Sequence, residues 1–225
     1  MIKAVVFDFD GVIANSEPLH FRAYRDVLAA AGVTLTEADY YARYLGYDDV
    51  GAFRQMAVDR GIVWSGERVA EFVRRKAERV EELERDHSVL FPGADAAIRR
   101  LAAACPLAIV SGALRAEIVR VLEREDLARC FSVLVSAEDT PASKPSPDPY
   151  RRALVLLSQV VGGPLDPADC VAVEDSRWGL ESARAAGFRT VAVTHTYPAE
   201  ALEDAAEAVI PHLDGLTLEF LSKLA

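Results

Sequence analysis

Five short apolar runs constrain the fold of this chain more than any other feature. They are Val5-Val6-Phe7, Leu107-Ala108-Ile109-Val110, Val133-Leu134-Val135, Cys170-Val171-Ala172-Val173 and Thr190-Val191-Ala192-Val193. Each is too short for a helix and lacks polar alternation, as a strand buried on both faces does. After residue 90 they alternate with helix-length amphipathic stretches at 94–104, 115–125, 150–160 and 180–186. That alternation predicts an α/β fold, a doubly wound parallel sheet with helices on both faces. Residues 17–86 break the pattern. They read as helices at 19–31, 36–43, 50–60 and 66–85 with no convincing strand. This predicts a core of residues 1–15 and 88–225 with a helical subdomain, 16–87, inserted after the first strand.

The predicted strands end in polar groups. Asp8 and Asp10 follow the first run, Ser111-Gly112 the second and Glu174-Asp175 the fourth, while Lys144 lies in the loop after the third. In a parallel sheet these carboxyl ends share one edge, where ligands bind. Two carboxylates two residues apart on an extended backbone lie on the same side. They repel, and a hard cation such as Mg2+ relieves the repulsion while suiting phosphate chemistry. Transfer of a phosphoryl group needs a nucleophile, charge neutralisation and a proton for the leaving oxygen. Asp8 suits the first role and Asp10 the acid and base. Lys144 supplies a fixed positive charge, and Ser111 with the Gly112 amide supplies hydrogen bonds to phosphate. Taken singly, each feature has a plain structural reading: an acidic turn, a Ser-Gly turn, a loop lysine, or a helix cap at Glu174-Asp175.

The order and spacing of these motifs over residues 8–175 resemble the haloacid dehalogenase (HAD) superfamily, most closely its β-phosphoglucomutase-like and small sugar-phosphate phosphatase branch. The resemblance implies a Rossmann-like core with an α-helical cap, a phospho-aspartate on Asp8 and Mg2+ as cofactor. Asp8, the Asp10 main-chain carbonyl, Glu174 and Asp175 would serve the metal. Phe9, Ser111, Gly112 and Lys144 would serve the phosphate. It also implies cap or hinge contributions from His20, Gly46 and Lys76, and a cap that closes as a lid. Mutase-type relatives carry a basic loop in the cap that grips a second phosphate. Here that loop reads Leu45-Gly46-Tyr47-Asp48-Asp49, with two acids and no arginine. The reading is therefore a phosphatase acting on a small phosphorylated metabolite, a sugar or polyol phosphate. The alternative is a sugar phosphomutase. A dehalogenase would need neither Asp10 nor Asp175.

Composition narrows the partners. The formal net charge of −10 over 225 residues argues against nucleic acid and anionic membrane. No apolar run is long enough to span a bilayer, and the start, Met1-Ile2-Lys3, does not read as a signal peptide. The 3 cysteines lack metal spacing and read as reduced thiols, which suits the cytoplasm. A monomer or weak homodimer is expected.

Overall fold

The computed structural model describes residues 2–44, 47, 49–85 and 88–224. In chain order the elements are β1 (Ala4–Phe7), α1 (Glu17–Ala29), α2 (Glu37–Arg43), α3 (Asp49–Asp59), α4 (Gly66–Glu84), α5 (Ala94–Ala102), β2 (Leu107–Val110), α6 (Arg115–Arg124), β3 (Phe131–Val135), α7 (Asp148–Val161), β4 (Cys170–Glu174), α8 (Arg177–Ala185), β5 (Arg189–Val193), β6 (Ala208–Ile210) and α9 (Leu218–Leu224). They form two compact units, Met1–Asn15 with Val89–Ala225, and Ser16–Ser88.

The first unit is built on a six-stranded sheet of order β3-β2-β1-β4-β5-β6, with every pairing parallel. This is the doubly wound sheet that the alternation predicts. The central strands are buried on both faces, which is why they read as unbroken apolar runs. One face sends Ala4, Val6, Ala108, Val110, Cys170 and Ala172 into a core with Tyr150, Ala153 and Leu157 of α7. Chain order reverses between β1 and β4, so the switch point lies at their carboxyl ends. The register pairs Phe7 with Val173, and the Asp8 N–H donates to the Val173 carbonyl at 2.9 Å. Asp8 is thereby held beside Glu174.

The second unit is helical. Phe21, Tyr24, Leu28, Phe53, Met56 and Phe72 fill its interior, from α1, α3 and α4. Ser65 caps α4 through a bond from the Arg68 N–H, and Thr36 caps α2 through one from the Asp39 N–H.

Several boundaries differ from the sequence reading. Helix α8 begins at Arg177 rather than 180, because Ser176 accepts from the Gly179 N–H and starts the helix three residues early. Strand β3 begins at Phe131, two residues before its β-branched stretch. Strand β6 and helix α9 had no counterpart. The strand has only three residues at the sheet edge, too short to leave a periodic signal.

Candidate active site

The site is built from the ends of β1, β2 and β4 and the loop after β3. Lys144 is the centre of its electrostatics. Its Nζ lies 2.9 Å from Asp8 Oδ1 and 2.7 Å from Glu174 Oε1, and it donates to the Val110 carbonyl at 2.9 Å. Burial pulls the ammonium toward neutrality, but Asp8 and Glu174 more than offset this and raise its pKa. Glu174 is fully buried, and the Tyr150 hydroxyl donates to its Oε1 at 2.5 Å.

Carboxylate oxygens of Asp8, Glu174 and Asp175 lie within 4.8 Å of one another. Burial, then repulsion from Asp8, pushes Glu174 up to about 8 and Asp175 up to about 6. Glu174 Oε2 is buried with no hydrogen-bond partner among the described residues. Three carboxylates facing one ammonium leave two formal negative charges, and the donor set is all oxygen. Those features fit a hard divalent cation.

Glycine makes room at two points. Gly11 has a φ of +77°, and a Cβ there would collide with the Asp175 carboxylate. A Cβ on Gly179 would collide with the Glu174 carboxylate. Asp175 is held by a hydrogen bond with the Thr196 side chain.

The other residues named from sequence fall as follows. Strand pairing of β1 stops at Phe7, and Phe9 lies in a bend, so the same-side argument for Asp8 and Asp10 does not describe the backbone they sit on. Asp10 instead belongs to a turn in which it bridges Ala14. The Phe9 N–H donates to Asp8 Oδ1 at 2.7 Å. Ser111 is buried just past β2, its Oγ accepting from the Ala113 N–H at 3.0 Å, and Gly112 is exposed beside it. The helix cap after Glu174-Asp175 is Ser176, which leaves both carboxylates to the cluster.

His20 and Lys76 meet inside the helical unit. Lys76 is buried, and its Nζ lies 2.7 Å from His20 Nδ1 and 2.7 Å from Asp49 Oδ1. An ammonium can only donate, so Nδ1 of His20 is the acceptor. The Tyr24 hydroxyl also donates to Asp49, at 2.6 Å, and the Tyr40 hydroxyl donates to Glu17 at 2.7 Å. Lys76 is thus no part of a solvated charge run. Arg43 is paired with Asp59 at 2.7 Å. Gly46 lies outside the described residues, as do Leu45 and Asp48.

A profile of the haloacid dehalogenase-like hydrolases matches residues 2–187. The chain belongs to that family. Hexitol phosphatase B of Escherichia coli is 32% identical over 200 residues, covering 85% of this chain and 83% of its own. A Thermotoga maritima structure, assigned provisionally to β-phosphoglucomutase, superposes with a TM-score of 0.82 at 28% identity and covers 100% of both chains. A variant of CbbY from Rhodobacter sphaeroides, solved with xylulose-(1,5)bisphosphate, superposes with a TM-score of 0.81 at 25% identity, covering 98% of this chain and 99% of that one. The protein is an enzyme of this hydrolase family, and its named relatives place it with the phosphatases.

Sequence reasoning missed Tyr150, Thr196 and His195. Tyr150 carried no usable signal, because an apolar-facing tyrosine at a helix start reads as core. The other two did carry one: Thr194-His195-Thr196 follows the β5 run directly, at the same sheet edge as Asp8, Ser111, Glu174 and Asp175.

Proposed function

We propose that the protein is a Mg2+-dependent phosphatase that hydrolyses a small phosphorylated metabolite, a sugar or polyol monophosphate, through a phosphoryl group carried on Asp8. The observation that carries this reading is Lys144 seated between Asp8 and Glu174 within the buried carboxylate cluster. Lys144 orients the Asp8 carboxylate and limits the repulsion that an incoming phosphate dianion would meet. An Asp8 oxygen attacks phosphorus as the phosphorus–ester oxygen bond breaks. Asp10 gives its proton to the leaving alkoxide. Asp10 then takes a proton from the water that attacks the phospho-aspartate, which restores Asp8 and frees inorganic phosphate. Ser111 and the Gly112 amide, just past the end of β2, would donate hydrogen bonds to the phosphoryl oxygens. Asp8, the Asp10 main-chain carbonyl, Asp175 and Glu174 would hold the magnesium, which would supply positive charge for those oxygens.

Free thiols at Cys105, Cys130 and Cys170 suit a reducing compartment, and burial pushes Cys170 up to about 12, which makes it unreactive. No helix among the described residues is long and apolar enough to cross a membrane.

A sugar phosphomutase is the second reading, favoured by the likeness to the Thermotoga structure. It needs a cation to hold the distal phosphate of a bisphosphate. Against it, Lys76 is bound to Asp49, and Arg43 to Asp59, within the helical unit. Asp49 and His20 suit hydroxyl groups better than a second phosphate. The deciding experiment incubates the protein and Mg2+ with sugar and polyol monophosphates, with and without sugar bisphosphates. Free phosphate and isomerised product are both followed. Phosphate release without isomerisation is expected. Bisphosphate-dependent isomerisation would overturn the phosphatase reading in favour of the mutase.

A further inference from the structure

The segment after β5 touches the β1 turn at its glycine. His195 Nδ1 lies 3.1 Å from the Gly11 carbonyl oxygen. A carbonyl only accepts, so Nδ1 carries a proton and donates. The ring is stacked on Phe91, with centroids 3.9 Å apart and planes at 18°. Phe91 is itself tied to this turn, its N–H donating to the Ile13 carbonyl at 2.9 Å. His195 Nε2 is buried with no hydrogen-bond partner among the described residues, so nothing competes for the ring's orientation. Burial, the largest influence, favours the neutral ring and lowers its pKa.

Gly11 directly follows Asp10 and occupies the left-handed region, where glycine has the greatest freedom. Its N–H donates to the Ala14 carbonyl at 2.9 Å, which fixes one side of the residue. His195 fixes the other. The neighbouring Thr196 bonds to Asp175, so one short segment braces both the acid turn and a carboxylate of the cluster.

We infer that His195 is a positioning residue that fixes the Asp10–Gly11 turn through the Gly11 carbonyl, and so aims Asp10 at the leaving-group oxygen. This rests on the proposed role of Asp10 as acid. His195 does not touch the reacting atoms, so its loss acts chiefly on proton delivery; a shift of the Asp10 main-chain carbonyl, proposed for the cation, would instead slow both esters alike. Esters with poor leaving groups depend on that proton, and p-nitrophenyl phosphate hardly does.

Two variants separate the hydrogen bond from the stacking. His195→Phe keeps a ring against Phe91 and removes the donor. His195→Asn keeps an N–H near the position of Nδ1 and removes the ring. Turnover of an alkyl phosphate and of p-nitrophenyl phosphate is measured for both, with Mg2+ and with thermal unfolding as the check on folding. The loss of one neutral hydrogen bond predicts that H195F loses about fivefold to tenfold in kcat on the alkyl ester and under about twofold on the aryl ester, with KM little changed. H195N should recover most of the alkyl-ester loss. Equal losses on both esters, no loss in H195F, or an H195N as impaired as H195F would each overturn the positioning role. A wild-type enzyme that hydrolyses neither ester would instead overturn the phosphatase reading.

Discussion

Replacing Lys144 with methionine removes the one cation among the described residues that touches both Asp8 and Glu174 and roughly preserves the volume. At 2.7 and 2.9 Å, each contact is worth about 6 kcal/mol of attraction at an effective dielectric near 20. The cost of burying the ammonium takes back much of this. Removing one partner of such a buried pair typically costs about 3–5 kcal/mol. For a chain of this size that is a fall in Tm of roughly 6–20 °C. The loss depends on pH. Glu174 has a raised pKa in the folded protein, so it disfavours folding as pH rises through that value and is harmless below its unfolded range. Without Lys144 the pKa of Glu174 rises further, and the protonated carboxyl needs no cation. Lys144 itself stays charged throughout, since its pKa is raised from an already high value. Thermal unfolding of wild type and Lys144→Met in chelator, from pH 5 to pH 9, is the assay. The variant's Tm should fall more steeply with pH, with the gap widest above pH 8. Parallel curves, or a gap within about 2 °C throughout, would refute the assignment of Lys144 as the cluster's internal counter-ion.

The cation site gives a second test. Mg2+ at about 100 times its Kd should stabilise by about 2.7 kcal/mol. The gain in Tm should be larger at pH 8 than at pH 5, where protons on Glu174 and Asp175 compete with the metal. Asp175→Asn should remove most of that gain, and a gain unchanged by the substitution would place the metal elsewhere. A third test concerns the helical unit. Asp49→Ala frees Lys76, so a sugar bisphosphate should inhibit the variant at least about tenfold more strongly than wild type in a phosphate-release assay. Equal inhibition would mean that Asp49 does not set the charge that Lys76 presents.

The sheet was legible because strands buried on both faces lose polar alternation, and four of the five runs were followed by groups that together suit one chemistry. Strand β6 was not, since three residues at an edge leave no period. The carboxylates were found for a reason partly mistaken: Asp8 sits at a strand end, but Asp10 lies past a bend. The closeness of Asp8 to Glu174 comes from the β1–β4 register, which spacing along the chain does not encode. The same limit hid the cap network. Asp49 reads from sequence as one of two acids in a cap loop, whereas folding ties it to Lys76, 27 residues away. His195 could have been found by applying the strand-end rule to β5 as well.

The most direct test of the account is chemical capture of the phosphorylated residue. The enzyme is mixed with Mg2+ and a hydrolysed sugar or polyol phosphate, quenched in acid during turnover, reduced with borohydride and mapped by mass spectrometry. An acyl phosphate on aspartate is reduced to homoserine, so the account predicts that mass change at Asp8, and its absence in Asp8→Asn together with turnover. Capture at any other residue, or sustained phosphate release by Asp8→Asn, would contradict it.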